Sequence, residues 1–82
     1  MKFIGIGYGS MVSSGRIVAV CSPESAPVKR MVSDAKETGR LIDVTCGKKT
    51  KAVIVTDSDH IILSALSAEA ISEKLLEDDK NE

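Results

Sequence analysis

Residues 41–64 read LIDVTCGKKTKAVIVTDSDHIILS, and the way this stretch divides into strands decides the fold. The runs Leu41 to Cys46, Ala52 to Thr56 and Ile61 to Ser64 are rich in Val, Ile, Leu and Thr, which suit a pleated, half-buried surface. Between them stand CGKKTK and DSDH, both with turn chemistry. Gly47 supplies the freedom a tight turn requires, and Asp57 or Asp59 is placed to bond the turn backbone. The resulting expectation is an antiparallel meander, with Lys48, Lys49 and Lys51 at the tip or shoulder of its first hairpin and His60 opening the third strand.

Upstream, Lys2 to Tyr8 alternates Phe3, Gly5 and Gly7 with Ile4, Ile6 and Tyr8, the pattern of a strand that approaches another backbone closely at its glycines. Gly9 to Gly15 reads as a turn region with a short extended piece at Met11 and Val12, and Arg16 to Cys21 as a second strand. The period then changes. Val28, Met31, Val32 and Ala35 fall on one face of an amphipathic helix, with Ser25 as N-cap, Pro27 in the first turn, an end at Thr38 and Gly39 just beyond it. Arg30 and Asp34 are spaced for an i, i+4 pair on its outer surface. Downstream, Ser67 caps a last helix whose Ala68, Ile71 and Leu75 share a face. The order β-β-α-β-β-β-α describes a small, antiparallel, β-rich α+β domain with two helices over residues 1–76, followed by a disordered acidic tail at 77–82.

A chain of 82 residues with 43% apolar residues folds, but at this size it buries little of itself, so self-association is expected. No apolar run reaches the roughly 18 residues of a membrane span, and the cytoplasm is the expected location. Cys21 and Cys46 have no CxxC spacing and read as small buried strand residues. The net charge of -1 is unevenly spread: Arg16 to Lys51 holds eight basic residues against four acidic, and Ala52 onward two basic against eight acidic. A basic middle that faces phosphate and an acidic C-terminal part that faces water follow from that asymmetry.

GIGYGS resembles a phosphate-cradling loop, but such loops open directly into a helix, and here the following residues lead to another strand. His60 is the only histidine, and DSDH lacks the ordered oxygen ligands of a calcium loop, so turn chemistry accounts for it. No nucleophile, base and orienting group stand together, and neither catalysis, a cofactor nor a small-molecule substrate is expected. Nothing in turn physics requires three lysines beside Gly47. Lysines on exposed strands do prevent edge pairing, but the charge of the whole segment favours an anionic partner.

At this point the blocks SPESAPVKRM, GRLIDVTCGKKTKAV and DSDHIILSA, within a similarity running from about Phe3 to Leu66, resemble the Rem-type (RemA-like) regulators of bacterial extracellular-matrix and biofilm genes. The resemblance implies a DNA-binding transcriptional regulator without a cofactor, similar in domain to the β-rich LytTR type. It also implies dimers assembled into a homo-oligomeric ring that presents basic loops to double-stranded DNA. In that family a basic residue before the second strand and an arginine pair after the hairpin glycine contact DNA. By position these are Arg16 and Lys48 with Lys49, and Lys51 matches a further basic position. This chain has Lys-Lys where the family usually shows Arg-Arg. Lysine holds phosphate as a point charge, so the grip is expected to survive, whereas the bidentate fork that reads guanine is lost.

The competing reading is a scaffold oligomer in which SPESAPVKR forms the subunit contact and the lysines only protect strand edges. An RNA partner is a third reading, weakened by the lack of paired stacking aromatics.

Overall fold

The computed structural model of the chain, which describes residues 2–80 with side chains through residue 77, opens with a hairpin of β1 (Phe3–Gly7) and β2 (Ser10–Ser13). Its two-residue turn is Tyr8–Gly9, both with positive φ (52° and 82°), the signature of a type I′ turn. The segment expected as a turn region therefore supplies a full second strand. The close backbone approach expected at the first glycines is also corrected: a Cβ at Gly5 or Gly7 would meet only side-chain atoms of Lys74 or Leu66, at 3.5 and 3.8 Å. What Gly7 provides is its φ of 111°, at the point where the strand register shifts.

A short 3-10 turn over Ser14–Arg16 leads into β3 (Ile17–Cys21) and then α1 (Ala26–Glu37). The caps of α1 are those its sequence dictates. Ser25 Oγ accepts from the Val28 N–H at 3.4 Å, Pro27 occupies the first turn, and Thr38 is the C-cap. Gly39 follows at φ 74°, and the Arg40 N–H donates back to the Ala35 carbonyl at 2.8 Å, which closes a Schellman motif. Arg30 and Asp34 do not form the expected ion pair among the described residues.

The second sheet contains β3, β4 (Leu41–Asp43), β5 (Ala52–Thr56) and β6 (Ile61–Ser64), in the order β3-β5-β6-β4. Here the meander expectation is corrected. β5 and β6 pair antiparallel through the DSDH turn, but β4 pairs with β6, in parallel, and is not hydrogen-bonded to β5. The reason lies in α1, which carries the chain back along the sheet, so that β4 sets out in the same direction as β3. The β5–β6 hairpin fills the space between these two parallel strands, which become the sheet edges. Residues 44–51 are thus a crossover that passes the end of β6 to reach β5, not the tip of a hairpin.

Alternation along the central strands sorts their side chains onto two faces. Val53 and Ile61 pack with Val28 and Ala35 of α1. Ala52, Ile54 and Ile62 face the other way, toward Ile4 and Ile6 of β1 and Ile71 of α2 (Ala68–Lys80). The result is a three-layer α+β domain: α1, then the mixed sheet, then the β1–β2 hairpin with α2. Ser64 fastens the last two layers, its buried Oγ donating to the Ile6 carbonyl at 2.7 Å and accepting from the Leu66 N–H at 3.1 Å. Ser67 caps α2 through the Ala70 N–H, as expected. The segment read as an acidic tail, 77–82, overlaps α2 as far as Lys80, and its last two residues lie outside the described residues.

Candidate nucleic-acid interface

The crossover begins where β4 stops. One carboxylate oxygen of Asp43 accepts from both the N–H (2.9 Å) and the hydroxyl (2.7 Å) of Thr45, a residue only 2% exposed. The Thr45 hydroxyl first, and its N–H second, hold the Asp43 carboxyl below its ordinary value. The Thr45 carbonyl in turn accepts from the Lys48 N–H at 3.0 Å. Between them Cys46 and Gly47 have φ of 53° and 81°, so residues 45–48 form a second turn of the type I′ kind. The chain then passes Lys49 and Thr50 and enters the sheet as the Lys51 N–H donates to the Ser64 carbonyl at 2.8 Å.

Lys48, Lys49 and Lys51 are all exposed, and none makes an ion pair among the described residues. Three ammonium groups within four positions of one fixed loop give a local positive field, and none of them is ion-paired among the described residues. An anion with spaced charges, such as a phosphate chain, is the ligand such a field attracts.

Arg16 stands elsewhere. Ile17 pairs with Thr56, and Cys21 with Val53, so Arg16 lies beside the far end of β5 while Lys51 precedes its near end. The six residues from Lys51 to Asp57, which lies beside Arg16, separate them by roughly 20 Å of strand rise. Arg16 is also engaged: its Nε donates to Asp57 Oδ1 at 2.9 Å, with both side chains about half exposed, which leaves the two terminal amino groups of the fork for another anion. On the other side of the same turn, Arg40 donates from Nη1 to the Asp59 carbonyl at 2.7 Å and approaches its carboxylate at 3.7 Å.

The aspartates of DSDH thus face arginines, not the turn backbone as expected. The turn is held instead by Thr56 Oγ1 with Ser58 and the His60 backbone, by the Asp59 N–H on the Thr56 carbonyl, and by Asp59 at φ 68°. No cluster of three or more metal-ligating side chains occurs among the described residues.

Cys46 corrects another expectation. It is exposed at the apex of the lysine turn, because Asp43 captures Thr45 and bends the chain before a strand could reach position 46. Cys21 is half-buried on β3, against the α1 side of the sheet. Asp43 itself escaped sequence reasoning, although Asp-x-Thr at the end of a strand is a signal for such side-chain capture.

The described surface of this small α+β domain thus carries an exposed basic loop whose lysines have no ion-pair partner among the described residues. Residues 3–75 match the family model described as extracellular matrix regulatory protein A-like, so the chain belongs to the RemA-like family. It is similar to proteins named for a regulatory role in several bacteria. The Alkaliphilus metalliredigens protein is 57% identical over 81 residues, covering 99% of this chain and 87% of that one. The Geobacillus thermodenitrificans protein is 56% identical over 75 residues, 92% of this chain and 86% of that one. The Alkaliphilus oremlandii protein is 59% identical over 75 residues, 92% and 81% of the two chains. A regulatory role follows from this membership. Among the described residues no helix is long and apolar enough to cross a membrane.

Proposed function

We propose that the chain is a cytoplasmic, homo-oligomeric, DNA-binding transcriptional regulator of matrix and biofilm genes. In this reading Lys48, Lys49 and Lys51 hold duplex phosphates and Arg16 makes a second contact. One observation carries the proposal: three exposed lysines on a hydrogen-bonded loop lack any carboxylate partner among the described residues, whereas Arg16 and Arg40 at the other end of the sheet are paired. Edge protection does not call for that arrangement, since the lysines sit on a crossover at the end of the sheet and not along a free strand edge.

The separation of Arg16 from the lysine loop corresponds to about six base pairs at 3.4 Å each, so one protomer would touch a duplex at two places along its length. Contacts this few are weak singly and gain strength when several protomers share one duplex. Phe3, Tyr8 and Met11 on the β1–β2 hairpin and Val18 on the edge strand β3 are all more than half exposed, and such exposed apolar side chains support self-association into a ring built from dimers. Phosphate contact by lysine leaves sequence discrimination mainly to DNA shape and bendability. No catalytic step belongs to this reading.

The same exposed apolar side chains are the one observation that favours the scaffold alternative, an oligomer without nucleic acid. Light scattering of the purified protein alone and with duplex DNA separates the two. The DNA-binding reading expects an oligomer whose mass rises by bound duplex, and an oligomer whose mass is unchanged by duplex at low salt would replace it with the scaffold.

A further inference from the structure

We propose that Asp43 is a positioning residue for the lysine turn, holding Lys48 and Lys49 through Thr45 in the arrangement that meets phosphate. The inference rests on the DNA-binding reading above and adds a residue whose charge alone would argue against a role. A carboxylate beside a phosphate-binding loop repels the ligand, so on electrostatic grounds its removal should tighten binding.

The geometry points the other way. Asp43 stands at the end of edge strand β4 and makes no ion pair among the described residues, so it does not pair with any of the three lysines. Its one engaged oxygen accepts two hydrogen bonds from Thr45. Thr45 is buried, and its carbonyl closes the turn on the Lys48 N–H. The turn has Cys46 in the left-handed region, which is unfavourable for a residue with a Cβ. Such a turn is not self-supporting. With the Asp43 acceptor removed, the buried Thr45 hydroxyl and its N–H lose their partner, and Cys46 is free to relax toward negative φ. The lysines would then sample many arrangements, and only the binding-competent fraction would contribute to affinity.

The test compares wild type, D43A and D43N for affinity toward a fluorescent DNA duplex over about 50 to 200 mM salt, the range in which phosphate contacts weaken steeply. Hydrogen exchange at the Lys48 amide in free protein is the second readout. D43A is expected to bind about tenfold more weakly, with faster Lys48 exchange and a salt slope close to wild type, because both lysines remain. The amide oxygen of D43N can accept the same two bonds, so D43N is expected to match wild-type affinity or exceed it. D43A binding as tightly as wild type or tighter, D43N as weak as D43A, or Lys48 exchange unaltered in D43A would each overturn the positioning role. A D43A chain that does not fold overturns it as well, because Asp43 would then belong to the fold. The variant with Lys48→Ala and Lys49→Ala separates the two levels. If it loses binding and D43A does not, only the positioning role falls. If wild type binds no duplex, the DNA-binding reading falls and takes this inference with it.

Discussion

Replacing Lys48 and Lys49 together by Ala separates the grip from the fold. Both side chains are exposed and unpaired among the described residues, and what Lys48 gives the turn is its backbone N–H, which Ala retains. The variant should therefore keep its assembly and lose no more than about 0.5 kcal/mol of stability. Each lysine that neutralises a phosphate adds about 0.9 to the slope of log K against log salt, so removing the pair makes the slope shallower by about 1.8 in each engaged protomer. Over a fourfold rise in salt, a slope of 1.8 is a factor of about 12 in affinity, so wild type should weaken about 12-fold more than the variant for each engaged protomer. Fluorescence anisotropy with a labelled duplex at several salt concentrations measures both slopes. Changing the same pair to Arg should preserve or tighten binding and sharpen sequence preference, because the guanidinium fork can read base edges. An Ala variant that remains assembled and shows the wild-type affinity and slope would leave the lysines as solvated charge with no part in DNA contact.

Ser64→Ala leaves the Ile6 carbonyl and the Leu66 N–H without their buried partner and should lower unfolding free energy by about 1–3 kcal/mol in a denaturant titration. A reduction below about 0.5 kcal/mol would show that the layers do not depend on this junction. Native protein treated with iodoacetamide should alkylate quickly at Cys46 and slowly at Cys21, and equal rates by peptide mapping would contradict their placement. Because the folded Asp43 carboxyl is depressed below 3.8, its support of the turn is fully present above about pH 4 and is lost as pH falls through the folded value. The Thr45 amide resonance should accordingly titrate with a midpoint below 3.8, and a midpoint at or above 3.8 would contradict the hydrogen bonds drawn to it.

Local chemistry was the most legible part of the sequence. The cap at Ser25, Pro27 in the first turn and Gly39 after Thr38 define α1 because each acts within a few positions of the helix end it serves. The pairing of β4 was not legible, since a short apolar run has no mark of its partner or direction. Only the return path imposed by α1 makes it parallel to β6. Tyr8–Gly9 was readable in principle, an X-Gly pair between extended residues, but three glycines at alternate positions are equally the mark of close strand packing. The lysine loop was visible as composition, while its support by Asp43 and the engagement of Arg16 by Asp57 depend on side-chain geometry.

Amine-reactive footprinting of the unmutated protein, with and without saturating duplex, asks whether the lysine loop lies against DNA. Lys36 is exposed near the C-terminal end of α1, close in sequence to Arg40 at the opposite end of the sheet, and serves as the internal control. The account predicts that duplex slows modification of Lys48, Lys49 and Lys51 strongly and that of Lys36 little, with protection fading as salt is raised. Full reactivity of all three loop lysines in the presence of bound duplex would contradict it.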